Sequence, residues 1–311
     1  MNVIFTYCVE ALDECVPKMH TIWNAHRRWD APLTIFVVGR IVKREGEALK
    51  DLISDRPELW DVNSHGYSHT RVVRKIPWSR PQPSPQLIEH EYVRGAEVIR
   101  RVLDRPCRGM SSAGGVSAGF RGYPENLAAL RKAGCTWSAS NARSTFGETN
   151  PTDCCGPYTY EDDGYPDLLE MPMHGWPDCT LKGSSGPRLG EKEQRHTQYV
   201  IKWPSPWFTP QQFVETPEEE FEAHRNTIDV TEEVGLPFCT IIFHPWCTVR
   251  KQDPEAKVVD LLLQYIDEKG HRATTLDAEA ARCRENPALL VPAPPIPDSR
   301  RADFDAGTVI A

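Results

Sequence analysis

"WDVNSHGYSHT", residues 60–70, is the stretch on which the fold turns. Its first five residues, Trp60 to Ser64, read as a short strand, and His65 and His69 follow at once, four positions apart. On a helical turn that spacing puts two side chains on one face, about 5–6 Å apart. Two imidazoles so placed suit one metal ion. The spacing fits equally a plain surface helix end, with Ser64 and Ser68 capping it or facing solvent.

Working outward, "LTIFVVG" reads as a strand stopped by Gly39, and a helix over Glu45 to Ser54 joins it to the strand before His65. Upstream, "NVIFTY" reads as the first strand. A helix follows from Pro17 to near Trp29, with Met19, Ile22, Trp23 and His26 on one face. Downstream, Ile88, Tyr92, Val93, Ala96, Ile99 and Leu103 mark a longer amphipathic helix. "ENLAALRKAG" ends on Gly134 as a C′ residue, and "FVETPEEEFEAHRNTIDVTEEVG" has an acidic first turn. The strand "CTIIF" runs into "HPW", the helix "AKVVDLLLQYIDEKG" follows, and "HRATTL" is the last strand.

Apolar runs alternating with helical patterns predict an α/β fold with a mostly parallel sheet or barrel. Residues 1–285 read as a single domain. Within it, about 145–216 are rich in Gly, Pro, Trp and charge without periodicity, as long functional loops are. From Asn286 onward, residues 286–311 read as a Pro-rich surface tail.

The 311 residues are 40% hydrophobic and 26% charged, with a net charge of −8, which argues against nucleic acid or an anionic membrane as partner. A small-molecule or carbohydrate substrate fits better, and a homo-oligomer stays open. "MNVIFTY" lacks the pattern of a secretory signal, and no stretch approaches a membrane span. The expectation is a cytoplasmic protein whose ten cysteines are reduced; the adjacent Cys154 and Cys155 receive no role.

In parallel barrels, reactive residues gather at the C-terminal ends of the strands. Glu10 follows the first strand, His65 and His69 the third, Arg121 a Gly-rich loop, and His244 the strand "TIIF". Taken singly, His244 also fits a core histidine and Arg121 a surface ion pair.

Three of these stretches resemble the polysaccharide deacetylases, the NodB-homology domain of carbohydrate esterase family four. "WDVNSHGYSHT" is similar to the motif whose two His bind metal. "FRGYPENLAALRKAGCTWSAS" is similar to the motif whose Arg, aromatic and Pro line the site, here Arg121, Tyr123 and Pro124. "IIFHPW" is similar to the last motif, with His244 and Trp246. The likeness covers about residues 2–140 and 237–280, and "APLTIFVVG" belongs to it. It implies a distorted parallel (β/α) barrel and hydrolysis of a non-peptide amide, usually N-acetyl. A divalent metal, Zn²⁺ foremost, would bind carbonyl and water, an Asp would act as base, and a His would protonate the leaving amine.

"TYCVE", residues 6–10, departs from the family's first motif. Aligned with a variant of that motif, Glu10 takes the metal-ligand position beside His65 and His69. Cys8 then stands where the base Asp belongs, facing Arg121. The chain thus reads as a divergent branch with an altered first motif. Cys8 could be base or nucleophile, could be a fourth ligand, or could mark lost activity. It also fits a small buried residue at a strand end.

Lesser candidates are Asp13 and Glu14, better read as a solvated helix start, and Cys247, better read as packing. His174, Trp176 and Asp178 in "LLEMPMHGWPD" could touch substrate, and Trp203, Trp207 and Phe208 could form an aromatic wall. The leading expectation is a metal-dependent N-deacetylase or deacylase of a small or carbohydrate-like substrate. The alternatives are an allantoinase-like cyclic ureide or imide hydrolase, and a metal-binding sensing module without turnover.

Overall fold

The computed structural model describes residues 1–73, 83–142, 155–183 and 213–297. Strand β1 (Asn2–Val9) lies at the centre, parallel to β2 (Leu33–Val37) and to β8 (Phe238–Phe243). β2 pairs with β3 (Trp60–Ser64), and the sheet runs on through β4 (Gly109–Met110), β5 (Trp137–Ser138) and β7 (Tyr165–Glu170). All these pairings are parallel; β6 (Tyr158–Tyr160) joins β7 antiparallel, and β9 (Arg272–Thr274) pairs with β1. Strands β1, β2 and β8 are apolar along nearly their whole length because both of their faces are covered.

The two faces build two apolar layers. Val3, Phe5, Tyr7 and Val9 of β1 point outward, with Leu33, Ile35 and Val37 of β2. They meet α1 (Cys15–Arg28), α2 (Gly39–Ser54), α3 (Pro85–Leu103), α4 (Pro124–Lys132) and α8 (Lys257–Glu268), whose apolar residues share that layer. Ile4, Cys8, Phe36, Trp137, Met171 and Ile242 point inward and fill the barrel, closed below by Leu276, Ala280 and Cys283 of α9 (Leu276–Glu285). Side chains alternate along a strand, so Glu10 continues the inward row of Cys8 above this interior.

Beyond β7 the chain meets β8 at His174, through its main chain and its side chain. The His174 N–H donates to the Thr240 carbonyl at 2.9 Å, and the Thr240 N–H donates to His174 Nδ1 at 3.0 Å. His174 Nε2 in turn lies 3.0 Å from the Cys155 carbonyl. This seam turns the sheet into the distorted (β/α) barrel that the sequence predicts.

Several expectations are corrected in detail. The second helix begins at Gly39, six residues before Glu45, because Gly39 packs against Tyr67 and Gly95 and its N–H bonds Gly66; Glu45 instead marks a kink. Residues 158–170 are not loop, since β6 and β7 lie there. Residues 287–297 are exposed or half-buried and touch the body where the Val291 N–H donates to the Pro157 carbonyl and the Pro294 carbonyl accepts from Arg121. Trp203, Trp207 and Phe208 fall outside the described residues. No described helix is long and apolar enough to cross a membrane.

Candidate metal centre

Glu10, His65 and His69 come together at the C-terminal ends of β1 and β3, with one ligand atom of each within 4.8 Å of the others. Glu10 Oε2 lies 2.8 Å from His69 Nε2 and 3.4 Å from His65 Nε2. The imidazoles reach each other without the helical turn that the spacing suggests. Residues 65–69 form an irregular loop in which Gly66 (φ 79°) and His69 (φ 61°) both take left-handed conformations. For a histidine that conformation is uncommon and is held by its surroundings. Ser68 supplies the hold, donating its N–H (2.9 Å) and its hydroxyl to the buried Glu91 of α3.

Each donor has a partner that aims it. His65 Nδ1 lies 2.9 Å from the Ser111 carbonyl, so Nδ1 carries the hydrogen and Nε2 turns to Glu10. The Trp246 indole N–H donates to Glu10 Oε1 at 3.0 Å. His69 Nε2 is buried and close to the carboxylate, yet makes no hydrogen bond with any described acceptor. One carboxylate and two imidazoles whose donor atoms converge within 4.8 Å could hold a metal ion.

Cys8 lies beneath this triad, buried, with the His65 and His244 imidazoles acting on its thiol. Burial would push its thiol up, but the two imidazoles outweigh it and bring the pKa down to about 7. Burial likewise works against charge on Glu10 and His65. Glu10 is still held well below the usual carboxylate range by His244, His65 and His69, and Cys8 and Glu10 lift His65 to about 10.

His244 closes the other side. Its Nδ1 lies 2.7 Å from Asp178 Oδ1 and its N–H donates to Asp178 Oδ2 at 3.2 Å, which leaves Nε2 for the site. Against the cost of burial, Cys179 and Asp178 raise its pKa well above the ordinary value. Asp178 opens the short helix α5 (Asp178–Leu181), and the Pro177-Asp178 pair at a helix start is the trace it leaves in the sequence.

Other expected site residues are placed elsewhere. The buried Arg121 guanidinium is committed to Asp162, Asp163 (2.6 Å) and the Pro294 carbonyl, while the cations acting most strongly on Cys8 are His65 and His244. Tyr123 packs between sheet and helices, and Pro124 is exposed in the first turn of α4. His174 is spent on the barrel seam. Trp176 is buried with Leu181, Val214 and Ala223. Asp13 is exposed and paired with Arg44, and Cys247 is buried. Of the expected substrate-side residues, Trp246 touches the triad, through its indole N–H on Glu10.

No family model matches the sequence, and no curated protein does. Solved structures do. A Mycobacterium smegmatis protein assigned to the polysaccharide deacetylases shares 16% identity over 95% of this chain and 93% of its own, with a TM-score of 0.65. The PuuE allantoinase shares 14% over 92% and 90%, with a TM-score of 0.59. A CE4 family pseudoenzyme from Bacillus anthracis shares 13% over 89% of this chain and 64% of its own, with a TM-score of 0.52. The chain therefore has the fold of the NodB-type deacetylases.

Proposed function

We propose that the chain is a metal-dependent hydrolase of a non-peptide carbon–nitrogen bond, an N-deacetylase or deacylase of a small or carbohydrate-like substrate. The observation that carries this reading is the convergence of the Glu10, His65 and His69 donor atoms beside a His244 held by Asp178. Glu10, His65 and His69 would hold the ion, zinc by the character of these donors. The ion would supply Lewis acidity to a carbonyl and lower the pKa of water. His244, fixed at Nδ1, presents Nε2 to donate a proton to the departing amine. Cys8 lies between His65 and His244, where a thiolate can take up a proton or attack the carbonyl. For a chain read as cytoplasmic, a small N-acyl compound is a closer fit than cell-wall polymer.

The test is metal content measured after purification without chelator, together with a screen of N-acetylated amino sugars, allantoin and simple cyclic imides. A stoichiometric divalent ion and acetate release are expected, both lost in His65→Ala. Ring opening without acetate release would assign the chain to the ureide and imide hydrolases. Folded protein without an ion would overturn the reading.

Cys8 in the base position supports a second reading, a metal-binding sensing module without turnover; one structural neighbour is itself described as a pseudoenzyme. That reading requires Cys8→Asp to create hydrolysis that the natural chain lacks. It fails if the natural chain hydrolyses an amide and Cys8→Asp slows it.

A further inference from the structure

Behind His244 stands a row of buried charges that the proposed reaction does not use directly. Asp178, besides its two bonds to His244, accepts from the Thr248 hydroxyl at 3.1 Å. Lys182, the residue that follows α5, places Nζ 3.7 Å from Asp178 Oδ2 and 2.7 Å from Glu220 Oε1 of α6 (Pro217–Glu233), and donates to the Cys247 carbonyl at 3.0 Å. The side chains of Asp178, Lys182 and Glu220 are at most 1% exposed. From the helix inward, the charges alternate: Glu220 negative, Lys182 positive, Asp178 negative, then the imidazole.

Removing this many charges from water is costly, and apolar side chains of the same volume commonly stabilise an interior as well or better. Stability therefore does not account for the row. Its geometry does: Lys182 touches the carboxylate that holds His244 Nδ1, and Glu220 touches Lys182. In a low-dielectric interior such neighbours act strongly on one another.

We infer that Lys182 and Glu220 are positioning residues that set how tightly His244 holds its proton, acting through Asp178. The inference rests on His244 being the proton donor of the proposed hydrolysis. Lys182 offsets part of the Asp178 charge and so loosens the proton on His244. Glu220 offsets part of the Lys182 charge and so tightens it. The other ionisable groups acting on His244 are Cys8 and Glu10 at the end of β1 and Cys179 of α5. Around Lys182 and Glu220 stand Cys247, Arg250, Asp253 and His224. None of these is altered in the variants that follow.

The row makes opposite demands of two conservative changes. Lys182→Met should raise the pKa of His244 and Glu220→Gln should lower it, each by about one pH unit, the effect of a nearby charge gained or lost. The double variant should return close to the natural value, and Lys182→Arg, which keeps the charge, should hardly move it. The readouts are the basic limb of the pH–rate profile and the ¹⁵N shifts of the His244 imidazole followed against pH. Loss of packing alone would lower activity in both single variants without opposite shifts. Shifts of the same sign, or none in folded protein, would overturn the inference. If the natural chain hydrolyses no amide, the hydrolase reading falls by itself, and the imidazole shifts still decide whether the row acts on His244.

Discussion

Trp246 donates its indole N–H to Glu10 Oε1 across 3.0 Å, which joins the last motif of the chain to the first. Trp246→Phe keeps an aromatic ring and removes the donor. Divalent metal affinity should fall by about 10–100-fold, the usual cost of losing an outer partner of a ligand. A competition titration against a chromophoric chelator measures it, and unchanged affinity would mean that the indole only packs.

Glu91 holds the loop of His69 from below. Glu91→Gln leaves a neutral amide facing the Ser68 N–H and hydroxyl. Loss of a buried charge-assisted contact should lower stability by about 1–3 kcal/mol. Added zinc should recover part of the loss, because the loop carries a ligand. Thermal melts with and without the ion read both effects; a melting point equal to that of the natural chain would rule out the strap.

Gly95 lets α3 approach β3. A Cβ there would stand 2.6 Å from Ser64 Oγ and 2.9 Å from the Gly66 carbonyl carbon, at the start of the His65–His69 loop. In an open helix Gly→Ala gains about 1 kcal/mol. Here the crowding should reverse the sign, to a loss of about 1–3 kcal/mol. Denaturant unfolding of Gly95→Ala decides between them by its sign.

His26 and His174 are buried neutral, and burial lowers each pKa from 6.5 to about 4. The unfolded chain takes up protons at both below 6.5, the folded chain only near 4. Their contribution is thus present above pH 6.5 and is lost as the pH falls from 6.5 toward 4. Each is worth about 3 kcal/mol, from 1.36 kcal/mol per pKa unit. Buried Glu170 and Asp61, whose pKa values burial raises to about 7 and about 6, act in the opposite sense over the same range, so the histidine contribution is read as a difference between variants. The urea midpoint of His26→Gln should rise relative to that of the natural chain as the pH falls from 6.5 toward 4, and a difference that stays constant would contradict the neutral burial of His26.

What the sequence made legible follows from how local each signal is. β1, β2 and β8 show as apolar runs, because strands buried on both faces need them. β4 and β5, two residues each, leave no run to see, and their neighbours in the sheet define them. His65 and His69 were legible as a pair, but a spacing of four suggests a helical turn, and the bend at Gly66 and His69 depends on Glu91 far along the chain. For His174, residue type pointed to substrate, whereas both ring nitrogens are committed to the backbone. Arg121 reads alike in a motif whether it serves a base or, as here, Asp162 and Asp163. Lys182 and Glu220 sit in stretches with no motif, so only the fold brings them to Asp178.

The join at His174 and Thr240 also sets how the barrel breathes. A ladder of main-chain bonds spreads its strength over many residues, whereas here a side chain substitutes for a rung, so local opening should begin at this point. In deuterium exchange, the amides of His174 and Thr240 should take up label ahead of those of Phe5 and Ile241, which lie within the β1–β8 ladder. The interior around Ile4 and Ile242 would then meet solvent by way of the seam, while the helices remain docked.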